Sequence, residues 1–137
     1  MRGSIVSEGR EAMVSLKVIA SGSDHDSSNI QVAINTGFTA HLTLPPETVR
    51  SLSLPERGFV EVELADGGMA TLGVYEARVL WHWRPLRVPA YETDGAPLIG
   101  MSLLRGSILT IEVIPRGEVT IAEGSCSSSP SSRGRPR

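Results

Sequence analysis

The stretch from Ile30 to Leu44 constrains the fold most. Ile30, Val32 and Ile34 alternate with Gln31, Ala33 and Asn35, the two-residue period of a strand with one buried face. That strand runs straight into Asn35-Thr36-Gly37-Phe38-Thr39. Leu42 and Leu44 then resume the alternation until Pro45-Pro46 stops it. A polar side chain at the mouth of a rigid strand, followed by a tight turn, is a frequent seat for catalytic groups, because the scaffold holds while the tip stays exposed. Asn and Gly are also ordinary turn formers, so these residues by themselves favour a plain turn.

The same period recurs along the chain. Val14, Leu16 and Val18 mark a strand before the first long loop. Val60, Val62 and Leu64 lead into Ala65-Asp66-Gly67-Gly68, and Ala70, Leu72 and Val74 return. Asp-Gly and Gly-Gly supply the backbone angles a hairpin turn needs. The hairpin is either an ordinary one or a mobile flap. Strands follow at 76–83, 84–90, 108–113 and 119–121. Pro46 at the start and Glu47 behind it suit a short helix over 47–52. Leu98-Ile99-Gly100 leads into a second short helix, Met101 to Leu104, with Gly106 as its cap. Trp81-His82-Trp83 reads more readily as a strand end packed on the core than as a binding surface. These elements make an all-β domain with one or two short helices. Residues 1–12 are expected to be loose, 13–122 to form the domain, and 123–137, rich in Ser, Pro and Arg, to be disordered.

Charge narrows the function. Thirteen Lys+Arg against 15 Asp+Glu give a net charge of -2, which argues against a dedicated nucleic-acid binder with its basic face. The single cysteine, Cys126, lies in the Ser-rich tail, so no internal disulfide is possible and a reducing compartment is expected. Neither a signal peptide nor a membrane-spanning run is read in the sequence, which points to a cytoplasmic protein. Asp24, His25 and Asp26 could be imagined as metal ligands. Adjacent residues do not readily converge on one ion, so no metal and no cofactor are expected.

The pattern resembles the retropepsin-like aspartic peptidases. In that family a strand ends in Asp-Thr-Gly or Asp-Ser-Gly, a Gly-rich flap hairpin follows, and two apolar residues and Gly then enter a short helix. Here the three parts are Asn35-Thr36-Gly37, the hairpin around Asp66-Gly67-Gly68, and Leu98-Ile99-Gly100. The chain looks most like the small prokaryotic members, in which the turn continues Gly-Phe-Thr and Leu-Thr-Leu-Pro, and the helix reads Leu-Ile-Gly-Met and Leu-Leu-Arg-Gly. The resemblance covers about 14–121. It implies a closed β-barrel and a two-fold homodimer with the site on the axis. It also implies peptide-bond hydrolysis by two carboxylates that share one proton. Asp66, Gly67, Gly68, Leu98, Ile99 and Gly100 fall where the family contacts or frames its extended peptide. Thr36 and Gly37 fall where the two turns lock together.

Asn35 departs from the family at its central residue. An amide neither gives up nor shares a proton as a carboxyl does, and in a homodimer the change appears twice. Three functions stay open on the sequence. One is a peptidase whose natural form has Asp at position 35, with Asn an inactivating substitution or a sequence error. Another is a pseudopeptidase that holds an extended peptide without cutting it. The last is a structural β-domain.

Overall fold

The alternation at Val14, Leu16 and Val18 becomes one strand of a closed ring. The computed structural model describes residues 1–6, 10–22 and 26–124. Along these the order is β1 (Arg2–Val6), β2 (Glu11–Ile19), β3 (Ser27–Ile34), β4 (Leu42–Leu44) and α1 (Pro46–Ser51). Then come β5 (Glu56–Glu63), β6 (Met69–Trp81), β7 (Arg84–Glu92), β8 (Leu98–Ile99), α2 (Met101–Leu104), β9 (Ser107–Ile111) and β10 (Glu118–Glu123).

All ten strands join one sheet, β5-β6-β7-β4-β8-β3-β2-β1-β10-β9, and a further pairing of β6 with β2 closes it. The closure runs through Val18↔Val79 and Ile19↔Arg78. Six strands, β6-β7-β4-β8-β3-β2, thus form a barrel without edges of its own. β5 hangs from one side and β1-β10-β9 from the other, so the free edges are β5 and β9.

The ring's inward residues are aliphatic. Leu16, Val18, Val32, Leu42, Leu44, Val79 and Ile99 are fully buried. Val49 and Leu52 from the α1 region, and Leu103 and Leu104 from α2, join the same core. Burying each such side chain contributes about 1.5–3 kcal/mol before conformational entropy is subtracted. α1 starts at Pro46, with Glu47 in its first turn and Arg50 in its last, an arrangement that suits the helix dipole.

Two expectations need correction. Arg2–Val6 is not loose: β1 pairs with β2 through Gly3↔Val14 and Ile5↔Ala12, and with β10 through Gly3↔Val119. Only Ile5 of β1 is buried, so the strand carries almost no hydrophobic signal. A Cβ at Gly3 would sit 1.8 Å from the Met13 carbonyl oxygen, so this approach needs glycine. The tryptophans do not act as a pair. Trp81 is core, whereas Trp83 is 84% exposed, on a two-residue turn between β6 and β7. The last strand runs to Glu123, and Gly124 N–H donates to the Gly106 carbonyl at 2.8 Å. Asp24, His25, Cys126 and the rest of 125–137 lie outside the described residues.

Candidate functional site

The Asn35 turn lies where β8 threads between β3 and β4. β8 runs parallel to β3, with Ala33↔Leu98 and Ile34↔Ile99, and antiparallel to β4, with Leu42↔Ile99 and Thr43↔Leu98. The loop from 35 to 41 therefore leaves one neighbour of β8 and returns on the other. Asn35 N–H donates to the Ile99 carbonyl at 3.0 Å, and Ala33 N–H to the Pro97 carbonyl at 3.0 Å.

α2 fastens the loop from behind. Gly100 N–H donates to His41 O at 3.0 Å, Met101 N–H to Phe38 O at 2.8 Å, and Ser102 N–H to Ala40 O at 3.2 Å. The Ser102 hydroxyl donates to Thr39 O. At Gly100 the backbones come so close that a Cβ would lie 2.5 Å from both Phe38 O and Ala40 O. Thr43, the buried polar residue of the core, accepts Leu98 N–H on its hydroxyl at 3.0 Å. This bond satisfies a donor at the crossing of β4 and β8. Thr43 escaped the sequence reading, although a polar residue centred in Leu42-Thr43-Leu44 was a visible signal.

Within the turn, Asn35 Oδ1 accepts Gly37 N–H at 2.9 Å, and the Asn35 carbonyl accepts Phe38 N–H at 3.1 Å. The first bond fixes the amide's orientation, since only its oxygen can accept. Nδ2 then points its two hydrogens elsewhere, with no hydrogen-bond partner among the described residues. Asn35, Thr36 and Gly37 are all exposed. Inside one copy, Gly37 is not demanded by space: a Cβ there would meet only Asn35 Oδ1, at 3.3 Å. The next titratable residue along the chain is His41, whose pKa is lowered by burial.

Leu98, Ile99 and Gly100 are brought directly against the turn. Ile99 and Gly100 are buried and Leu98 half-buried, and Ile99 and Gly100 hold the turn through their backbones. Asp66, Gly67 and Gly68 form the exposed tip of the β5–β6 hairpin. There Asp66 Oδ1 accepts Gly68 N–H at 2.9 Å and Gly67 adopts φ +88. No hydrogen bond joins this tip to the Asn35 turn among the described residues.

The hairpin still has a defined relation to the turn. Val60↔Leu72 and Val62↔Ala70 pair across it, and Val74↔Tyr91 continues the same face onto β7. Tyr91 meets Phe38 edge-to-face, with ring centroids 6.2 Å apart. The half-buried row Val60, Val62, Ala70, Leu72 and Val74 thus lies on the side of the sheet that carries Tyr91 and the Asn35 loop. No residue from Glu56 to Glu76 is fully buried, so the hairpin is an arm outside the core. At its root, Arg57 binds Glu76 Oε1 at 2.9 Å and Arg87 approaches Oε2 at 3.7 Å. Tyr91 was invisible in the sequence, because only strand register places it beside Phe38.

Among the described residues no group of three or more His, Cys, Asp or Glu could hold a metal ion. No helix there is long and apolar enough to cross a membrane.

No protein-family model and no curated protein matches the chain. Among solved structures, the EIAV protease complexed with the inhibitor HBY-793 is similar, with a TM-score of 0.58 at 11% identity. The match covers 73% of this chain and 90% of the protease. The chain therefore has a retropepsin-like, all-β fold.

Proposed function

We propose that the chain is a homodimeric aspartic-peptidase homologue, disarmed at position 35, that holds an extended peptide beneath its β5–β6 hairpin without cleaving it. The observation that carries this reading is the exposed Asn35 side chain, fixed at the end of β3 by the 2.9 Å bond from Gly37 N–H. The reaction of the fold's peptidases needs one carboxylate to take a proton from water and a second, protonated, to polarise the peptide carbonyl. The Asn35 amide can neither take a proton from water nor give one up at any working pH. Its Nδ2 hydrogens can donate to a peptide carbonyl or to the other copy's Asn35, so it supplies binding without general base catalysis. The apolar row Val60, Val62, Leu72 and Val74 offers contacts to side chains of an extended peptide, and backbone pairing would supply the rest.

The test is calorimetric titration of the protein with a set of extended peptides, followed by mass spectrometry of each mixture. The expected result is saturable binding with every peptide intact, weakened when Asp66-Gly67-Gly68 is removed from the hairpin tip. Peptide hydrolysis by the native chain, or no binding by any peptide, would contradict the proposal.

A further inference from the structure

A second feature lies at the other end of β3. β2 faces β1 at Gly3↔Val14 and β6 at Val18↔Val79. Between these pairings, Ser15–Lys17 has no strand opposite on that side among the described residues. A groove of about 490 Å³ opens there, bordered by Arg2, Ser15, Lys17, Asn29, Leu80 and Trp83. That volume is in the range of small-molecule sites. Asn29 is six residues from Asn35 along the chain, so the groove is roughly 20 Å from the Asn35 turn.

We infer that this groove binds a small anion carrying a planar aromatic ring, the chemistry a nucleoside monophosphate presents. Two groups of observations converge on it. The first is charge. Lys17 makes no ion pair among the described residues, and Arg2 is held only by an exposed contact to Glu118 at 3.3 Å. Among the described residues no Asp or Glu lines the groove. The Ser15 hydroxyl and Asn29 amide add uncharged donors, also without a side-chain hydrogen bond among the described residues.

The second is Trp83. The β6–β7 turn places His82 at φ 50 and Trp83 at φ 67, left-handed values that such a turn normally assigns to Asn and Gly. Both rings line the groove but differ in their contacts. His82 packs edge-on to Trp81 at 5.3 Å and its Nε2 meets Ser107 Oγ at 2.8 Å. Trp83 remains 84% exposed at the groove's rim. An indole held out in an unfavourable backbone conformation in the same groove as Lys17 suits stacking on a flat ring whose anionic group reaches that ammonium.

The test titrates the full chain with adenosine monophosphate and follows tryptophan fluorescence. Saturable quenching is expected, with Kd raised at least about tenfold by Lys17→Glu. Trp83→Gly is the second variant. Glycine accepts φ 67 without penalty, so the melting temperature should hold or rise while binding, now read by calorimetry, is lost. Adenosine alone and inorganic phosphate alone should each bind at least about tenfold more weakly than the nucleotide. Absence of saturation at millimolar nucleotide, an unchanged Kd in Lys17→Glu, or equal binding of phosphate alone would overturn the inference. Asn35 is untouched throughout, so the outcome is independent of the peptide-binding proposal.

Discussion

Replacing Gly100 with alanine would put a methyl group 2.5 Å from the Phe38 and Ala40 carbonyl oxygens and 2.6 Å from Phe38 Cδ2. Two of these neighbours are backbone atoms, so no rotamer change relieves them. The entry to α2 must move away from the loop. That movement stretches Gly100 N–H to His41 O at 3.0 Å and Met101 N–H to Phe38 O at 2.8 Å. Overpacking costs about 1–3 kcal/mol, and weakening one or two hydrogen bonds adds about 1 kcal/mol each. The sum is about 2–5 kcal/mol. At about 4 °C per kcal/mol for a domain of this size, Tm should fall by roughly 8–20 °C. Gly95→Ala is the control, since a Cβ there has no heavy atom within 4 Å and needs no left-handed backbone. It should change stability by no more than about 0.5 kcal/mol. Thermal circular dichroism at two protein concentrations separates folding from any association. A Gly100→Ala melt that coincides with the Gly95→Ala melt would refute the close approach of α2 to the loop.

Three further outcomes follow from the same geometry. Thr43→Val preserves shape but leaves Leu98 N–H without its 3.0 Å acceptor, and urea unfolding should show a loss of about 1–3 kcal/mol. Gly37→Ala should leave Tm nearly unchanged in dilute monomer, because its methyl meets only Asn35 Oδ1 at 3.3 Å. If two turns meet across an axis, sedimentation should show its dimer dissociating at least about tenfold more readily; unchanged self-association would count against that contact. The His82 pKa is lowered, first by burial and then by nearby cations, with Glu123 opposing. The unfolded chain takes up that proton near pH 6.5 while the folded chain resists it, so stability is full above this value and falls as the pH drops below it. His82→Asn should flatten the part of the Tm decline below about pH 6.5 that His82 causes, leaving the share of His41.

The barrel was legible in the sequence because its strands bury one face, and Val14-Leu16-Val18 announces that period directly. β1 was not, because it lies outside the six-stranded ring and buries only Ile5. The Asn35 turn and the Leu98-Ile99-Gly100 segment could be singled out as motifs. Their physical connection could not, since it depends on parallel pairing between residues more than sixty positions apart. Tyr91 and Thr43 entered the site through register and burial, which leave little local trace. The His82-Trp83 turn opposes local turn chemistry, and tertiary context overrides propensity there.

The most direct measurement is peptide hydrolysis by Asn35→Asp against the native chain, on one peptide library at acidic and neutral pH, with intact mass checked for deamidation. The change places a carboxyl group in the turn with nearly the same side-chain shape. The account predicts cleavage by the Asp form at least about 10²-fold faster than any trace from the native form. Equal rates for the two forms, or a folded Asp form that dimerises and cuts nothing, would contradict the role given to residue 35.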